Sequence, residues 1–398
     1  MRIAFVNHSR RKVGGVEVYL DSVLPAFARS GHEVAWLYES DPPSDRELIS
    51  LPPNVDTWCA ASLGHIRTLE ELKKWRPDII FAHGLVDPYF ESAIIEAAPS
   101  VLYLHNYYGT CISGDKLHSL STPRVCERQF GPACLLHYFP MHCGGRNPFT
   151  MWARYELQSR RLGLMHRYRA IIANSEHMVR EMERHKLAAE CVYPFTMSSA
   201  PAQSTTVSLN DDPLRLVFAG RMSNLKGGQF LLGALPQVQQ KLARNLHVTF
   251  AGDGPDRTTW QNRTHRLRSA SLVFNFSGWL KAADLQLLLS RAHLLVFPSI
   301  WPEPFGLSGL EAGLFGVPAV AFAVGGVTEW LKGSVNGHLA PVPPSAAGLA
   351  SAMVQALVND CHYEKLRAGA FEQAQLYKLN DHVSRLTRIF ERVAKSAP

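Results

Sequence analysis

The chain has 398 residues, more than one ordinary core accommodates and enough for two domains. With 46% hydrophobic and 19% charged residues it reads as globular, which excludes a disordered or low-complexity protein. A net charge of +7 and a pI of about 9.0 admit an acidic partner such as a nucleotide or an anionic membrane surface, but no RNA- or DNA-binding motif accompanies them, so nucleic acid is not an expected partner.

Residues 2–7 are an apolar strand, followed by a polar loop, Gly14-Gly15, a helix over 16–29 and a second strand over 32–38. This is a βαβ unit. Paired glycines at a helix start let backbone N–H groups approach a ligand closely, or simply make a tight turn. The apolar run at the N-terminus is too short for a signal peptide, and no stretch of eighteen apolar residues exists, so a cytoplasmic protein is expected. Residues 41–53 form a polar, Pro-rich loop, and 66–75 a helix. A strand over 78–82 ends at His83-Gly84, and one over 100–104 ends at His105. Ligands of open α/β sheets bind beyond the carboxyl ends of strands, which makes both histidines site candidates.

Residues 111–146 interrupt the alternation with turn residues and four cysteines, Cys111, Cys126, Cys134 and Cys143. Four thiolates suit structural zinc or an iron–sulfur cluster, but no C-x2-C pair is present. Reduced thiols packing a loop and disulfides are the alternatives; in the cytoplasm, reduced thiols are expected unless metal is bound. Residues 150–168 interleave aromatics with arginines. This is either a packed helix with a solvated Arg face or a basic amphipathic helix on anionic lipid, which leaves peripheral contact with the inner membrane face open. A strand over 170–173 ends at Asn174-Ser175, and residues 196–213, rich in Ser, Thr, Ala and Pro, read as a linker.

The alternation then resumes. The strand 214–219 runs into GRMSNLKGG, where Arg221 and Lys226 flank a turn beside a helix N-terminus, a combination suited to a diphosphate. It is not a Walker A loop. Strand 246–251 leads to Gly252-Asp253-Gly254-Pro255, and strand 272–276 to Gly278-Trp279-Leu280. Strand 293–297 leads to the stretch FPSIWPEPFGLSGLEAGLFG, which organises the rest of the chain. Its prolines block regular structure, and the N–H groups after Gly306 are free to hold an anion at Gly306, Leu307 and Ser308. Gly309, Gly313 and Gly316 in the following helix each cost about 1 kcal/mol relative to Ala, so close backbone approach to something is expected there. Glu303 and Glu311 would face hydroxyl groups beside the phosphates.

EPFGLSGLE resembles the E-x7-E signature of retaining GT-B glycosyltransferases of family four, carried here by Glu303, Phe305, Gly306 and Glu311. Gly220, Arg221, Lys226 and Gly227 resemble the G-R-x(n)-K-G turn of that family, and IIANSEHM its segment at the end of the N-terminal domain. The resemblance implies an α/β GT-B fold of two Rossmann-like domains facing a cleft. The N-terminal, acceptor-side domain would span 1–195 and the nucleotide-sugar-binding domain 214–378, with a last helix over 379–398 packing back on the first. It implies an enzyme, a hexosyltransferase-like protein moving sugar from a UDP- or GDP-sugar to a glycan or lipid-linked acceptor, with retention and no required cofactor. Glu303 and His105 would be catalytic. Gly14, Gly15, Arg221, Lys226, Gly306, Leu307, Glu311, Trp279 and Leu280 would bind the donor. There is no Asp-x-Asp motif, so a metal-bridged diphosphate is not indicated, and Arg221, Lys226 and helix N-termini would neutralise the leaving group. A nucleotide-sugar epimerase of the same fold and a non-catalytic nucleotide-sugar-binding subunit are the alternatives.

Overall fold

The computed structural model describes residues 1–12, 14–41, 46–120, 122–196 and 207–396, so most of the expected linker, residues 197–206, lies outside the described residues. The chain divides into two units: Met1–Lys116, Glu127–Met197 and Lys378–Pro398 form the first, and Leu117–Cys126 with Ser198–Tyr377 the second.

The first unit is built on seven strands: β1 (Arg2–Asn7), β2 (Glu33–Tyr38), β3 (Asp56–Cys59), β4 (Ile79–Ala82), β5 (Ser100–Leu104), and, after the short β6 (Leu117–His118) and β7 (Arg124–Val125), β8 (Ala170–Ala173) and β9 (Glu190–Cys191). They pair all parallel in the order β3-β2-β1-β4-β5-β8-β9. Helices cover both faces of such a sheet, which is why β1, β4 and β5 read as continuous apolar runs without alternation. The edge strand β3 was not foreseen; it is four residues long, and two of them, Asp56 and Thr57, are exposed polar residues. The helix Leu379–Lys395 belongs to this unit. Its Val383, Leu386, Phe390 and Val393 recur at helical spacing and are buried in the core, where the Phe390 ring lies 4.9 Å from Phe81 and 5.5 Å from Phe27.

The second unit carries β10 (Leu214–Ala219), β11 (Leu246–Ala251), β12 (Leu272–Gly278), β13 (Leu294–Phe297), β14 (Ala319–Phe322) and β15 (Gly337–Ala340). They form a parallel sheet of order β12-β11-β10-β13-β14-β15. In each sheet the strand order reverses at one place, between β1 and β4 and between β10 and β13. At such a switch point the two adjacent connections run to opposite sides and leave a crevice beyond the strand ends.

The Cys-rich insertion is held by buried polar contacts. The antiparallel hairpin of β6 and β7 belongs to the second unit, with Leu117 in that unit's core. Within the first unit, Lys116 and Glu181 are 2% and 1% exposed, with Nζ 2.6 Å from the carboxylate in an ion pair of poor hydrogen-bond angle. Lys116 Nζ also donates to Arg128 O at 2.6 Å, and Phe130 N donates to His185 Nε2 at 2.8 Å. Ile112, Phe130 and Tyr138 make a small core beside them. The seven cysteines stand as thiols, and among the described residues no group of three or more His, Cys, Asp or Glu is arranged to hold a metal ion. Cys111, Cys126, Cys134 and Cys143, weighed from the sequence as ligands of zinc or an iron–sulfur cluster, are not brought together into such a group among the described residues. Cys111 Sγ instead accepts from Lys116 N at 3.3 Å, and the Cys143 thiol donates to His137 O at 3.9 Å. Replacing Lys116 with methionine removes the nearest counter-charge of the Glu181 carboxylate and leaves it Arg184 at 3.1 Å and the His185 ring at 3.6 Å. We expect a loss of about 3 kcal/mol, read as a lower denaturant midpoint.

Among the described residues no helix is long and apolar enough to cross a membrane.

Candidate active site

The switch point of the second unit gathers the strongest sequence signals. Beyond β10 the chain turns through Gly220 and a single 3-10 turn, Asn224–Lys226, into the helix Gly228–Leu242. The loop after β13 docks on that turn. Ile300 N and Trp301 N both donate to Leu225 O, at 2.9 and 3.1 Å, as does the Ser299 hydroxyl at 3.2 Å. Gly227 closes the turn at φ +73°, and a Cβ there would lie 1.7 Å from Pro298 O. Only glycine allows this approach of backbone to backbone.

The docking brings Lys226 Nζ to 2.6 Å from Glu303 Oε1, a charge-assisted contact in which the carboxylate is 5% exposed and the ammonium 24%. The ammonium also lies 4.9 Å from the Trp301 ring centroid, a cation–π arrangement. Glu303 is further fixed by its backbone, because Gly326 N donates to Glu303 O at 2.7 Å. Arg221, on the same loop, is exposed, and its guanidinium makes no hydrogen bond or ion pair among the described residues.

The helix after the signature is shorter than expected, Ser308–Gly313, and its glycines are explained by protein packing. A Cβ on Gly309 would fall 1.9 Å from the Trp330 ring, and one on Gly313 would fall 2.6 Å from Ala370 O. Trp330 Nε1 in turn donates to Phe305 O at 2.8 Å, tying the signature loop to the next one. Gly316 lies beyond the helix, at φ +66°. Gly306 and Leu307 are half-buried at the helix start. Glu311 is half-buried and its carboxyl makes no hydrogen bond or ion pair among the described residues; loss of hydration pushes it up to about 7. Trp279, 47% exposed, and the half-buried Leu280 follow β12, two strands away from β10 in the sheet.

In the first unit Gly14 caps the helix Gly15–Arg29, and its N–H donates to Glu17 Oε2 at 3.0 Å, the half of a capping box that a glycine can make. Asn7 Nδ2, at the end of β1, donates to Glu17 Oε1 at 3.3 Å. Glu17 was missed from the sequence, although its place three residues after Gly14 was the available signal. Glu39, at the end of β2, was also missed. It is 8% exposed and accepts from Val86 N and Asp87 N at 2.6 and 2.8 Å, with His8 Nδ1 2.8 Å away.

His105 and His83 come together at the ends of β5 and β4, Nε2 to Nδ1 at 2.9 Å. The Tyr19 and Tyr103 rings pack against His105 with centroids at 5.4 and 4.9 Å. Burial lowers His105 to about 3 and His83 well below the usual imidazole range, so both rings are neutral. His382, from the helix Leu379–Lys395, completes this layer: its Nδ1 lies 2.7 Å from Tyr193 O and its Nε2 2.7 Å from the Tyr19 hydroxyl. No local pattern marks His382, which is 363 positions away from Tyr19.

Comparison with known proteins gives the family and the fold. Residues 13–194 match the model for Glycosyltransferase Family 4, and residues 201–373 that for Glycosyl transferases group 1. An uncharacterized glycosyltransferase of Methanocaldococcus jannaschii is 33% identical over 132 residues, 33% of each chain. Glycogen synthase of Mycobacterium tuberculosis is 35% identical over 164 residues, 40% of this chain and 38% of that one. The chain thus matches about a third to two-fifths of these curated relatives' length. The crystal structure of Anabaena HepE in complex with UDP and glucose superposes with a TM-score of 0.69 at 17% identity, covering 98% of this chain and all of that one. With two family models laid end to end along it, the chain belongs to the glycosyltransferases of GT-B fold, a Family 4 domain followed by a group 1 domain.

Proposed function

We propose that the protein transfers a sugar from a nucleoside diphosphate sugar to a glycan or lipid-linked hydroxyl acceptor, with retention at the anomeric carbon. The observation that carries the reading is the Lys226–Glu303 pair at the β10/β13 switch point, beside the unpaired Arg221. Two cations on one loop neutralise a diphosphate as negative charge develops on it during bond cleavage. The buried Glu303 carboxylate holds Lys226 in place and supports the positive charge that grows at the sugar's anomeric carbon. The bond from that carbon to the phosphate oxygen breaks as the acceptor oxygen bonds to the same carbon, and the acceptor's proton leaves on the departing diphosphate. Solved relatives with UDP and with UDP and glucose support the donor class. Trp279 and Leu280 would face the base, Gly306 and Leu307 the phosphates, and Gly14, Gly15 and His105 the sugar. The chain's own fold supplies these charges and donors without calling on the four cysteines. The test is the product: anomeric configuration by NMR with UDP- and GDP-sugars and a surrogate hydroxyl acceptor. Inversion would overturn the retaining part of the reading.

Glu311 is the ribose ligand in this account, its carboxyl free of protein partners. Its folded value of about 7 stands above the ordinary 4.5. Between these two values the folded chain holds a proton that the unfolded chain releases, so stability falls as pH rises through that window. Nucleotide affinity runs the other way and should strengthen from about pH 6 to about pH 8 as the accepting carboxylate forms. Glu311→Gln should flatten both profiles, measured by thermal melting and nucleotide titration.

A further inference from the structure

We propose that His83 is a positioning residue that locks His105 in its Nδ1–H tautomer, so that His105 meets the substrate as a hydrogen-bond donor and not as a general base. His83 is 5% exposed and surrounded by rings, stacked on Phe5 and edge-on to Phe81, whose centroid is 4.3 Å away. No carboxylate bonds to it among the described residues, so it is neutral and carries one N–H. Its Nδ1 faces His105 Nε2, and its Nε2 is buried without any hydrogen-bond partner. Two proton arrangements exist. If His105 donated, His83 would carry its own proton on Nε2, a buried donor with no acceptor. If His83 donates, only a lone pair is left there. Orphaned buried N–H groups are the rarer case, so the proton sits on His83 Nδ1.

That placement decides the chemistry of His105. Its Nε2 accepts from His83, so as a neutral ring it carries its proton on Nδ1. Nδ1 has no protein partner among the described residues, whereas Nε2 is spoken for. A half-turn of the ring would put Cε1 in place of Nε2 and break the contact with His83; Tyr19 and Tyr103 also pack against the ring, and the Tyr19 hydroxyl is itself committed to His382. The His382 Nδ1–H donates to Tyr193 O, which leaves its Nε2 as the acceptor of the Tyr19 proton. His105 therefore offers one fixed N–H, suited to an oxygen of the donor sugar. The acceptor's proton must leave by another route. The functional part of this inference rests on the reading of His105 as a sugar-contacting residue; the tautomer itself does not.

The experiment uses the full chain labelled with 15N-histidine, with His105 assigned by its loss in His105→Asn. The expected spectrum shows His105 protonated at Nδ1. In His83→Leu, which removes the donor, the unprotonated Nε2 loses its hydrogen bond and its 15N resonance should move to higher frequency, while His83→Asn, which keeps a donor, should preserve the wild-type signature. Turnover should fall about tenfold to a hundredfold in His83→Leu, with donor KM changed by less than about twofold, and recover in His83→Asn. An Nε2–H tautomer for His105 in the wild type would overturn the proposal even if His83→Leu fails to fold. An Nε2 resonance indifferent to His83→Leu would do the same. Should the protein transfer no sugar at all, the spectra still decide the tautomer, so failure of the functional reading and failure of the lock are separable.

Discussion

Glu303→Ala is expected to lower sugar transfer by about 10²- to 10³-fold, the cost of removing one preorganised charge from where charge develops. It should do so without unfolding the protein. The loop is held through its backbone, by Gly326 N on Glu303 O and by Ile300 and Trp301 on Leu225 O, none of which involves the carboxylate. The released Lys226 is 24% exposed, so water can replace its lost partner. The reverse change is not equivalent. Lys226→Ala leaves a carboxylate 5% exposed with no counter-charge, which should cost about 3 kcal/mol of stability in addition to activity. Thermal melts beside turnover on both variants read this asymmetry. Equal destabilisation by the two changes would mean that the pair is not buried on the Glu303 side.

Gly227→Ala should produce the largest structural effect, about 3 kcal/mol or more. Two costs combine at this position. The residue sits at φ +73°, where an L side chain is strained, and the new methyl would meet Pro298 O at 1.7 Å. The carbonyl belongs to the backbone and cannot rotate away, so the turn Asn224–Lys226 must lift from the loop after β13. That movement separates Lys226 from Glu303, and activity falls with stability. Gly163→Ala is the control. It lies inside the helix Pro148–Met165 with nothing within 4 Å of its would-be Cβ, and should stabilise by about 0.5–1 kcal/mol. A melting temperature for Gly227→Ala within error of the wild type would refute the backbone contact.

The two parallel sheets were legible because their strands are short apolar runs spaced by helical stretches, a period that needs no long-range information. The glycines of the signature were noticed for the right reason, close approach, but their partners were not readable. Trp330 and Ala370 lie 21 and 57 positions beyond Gly309 and Gly313. The insertion shows the same limit. Its cysteines are conspicuous in composition, whereas its anchors, Lys116 with Glu181 and Phe130 with His185, join ordinary-looking residues across 65 and 55 positions. A buried ion pair leaves no local periodicity. His105 was a candidate from its strand end, but its tautomer depends on a second histidine and on packing that only the folded layer of Tyr19, Tyr103 and His382 supplies.

The measurement that bears most directly on the account is donor turnover by the purified chain. UDP-, GDP- and ADP-sugars are supplied in turn, and nucleoside diphosphate release is followed with wild type and Glu303→Ala. The account predicts that one nucleotide class is bound, that its diphosphate is released, and that release collapses in the variant while binding persists. Failure of every nucleotide sugar to bind, or release that is indifferent to Glu303, would contradict it.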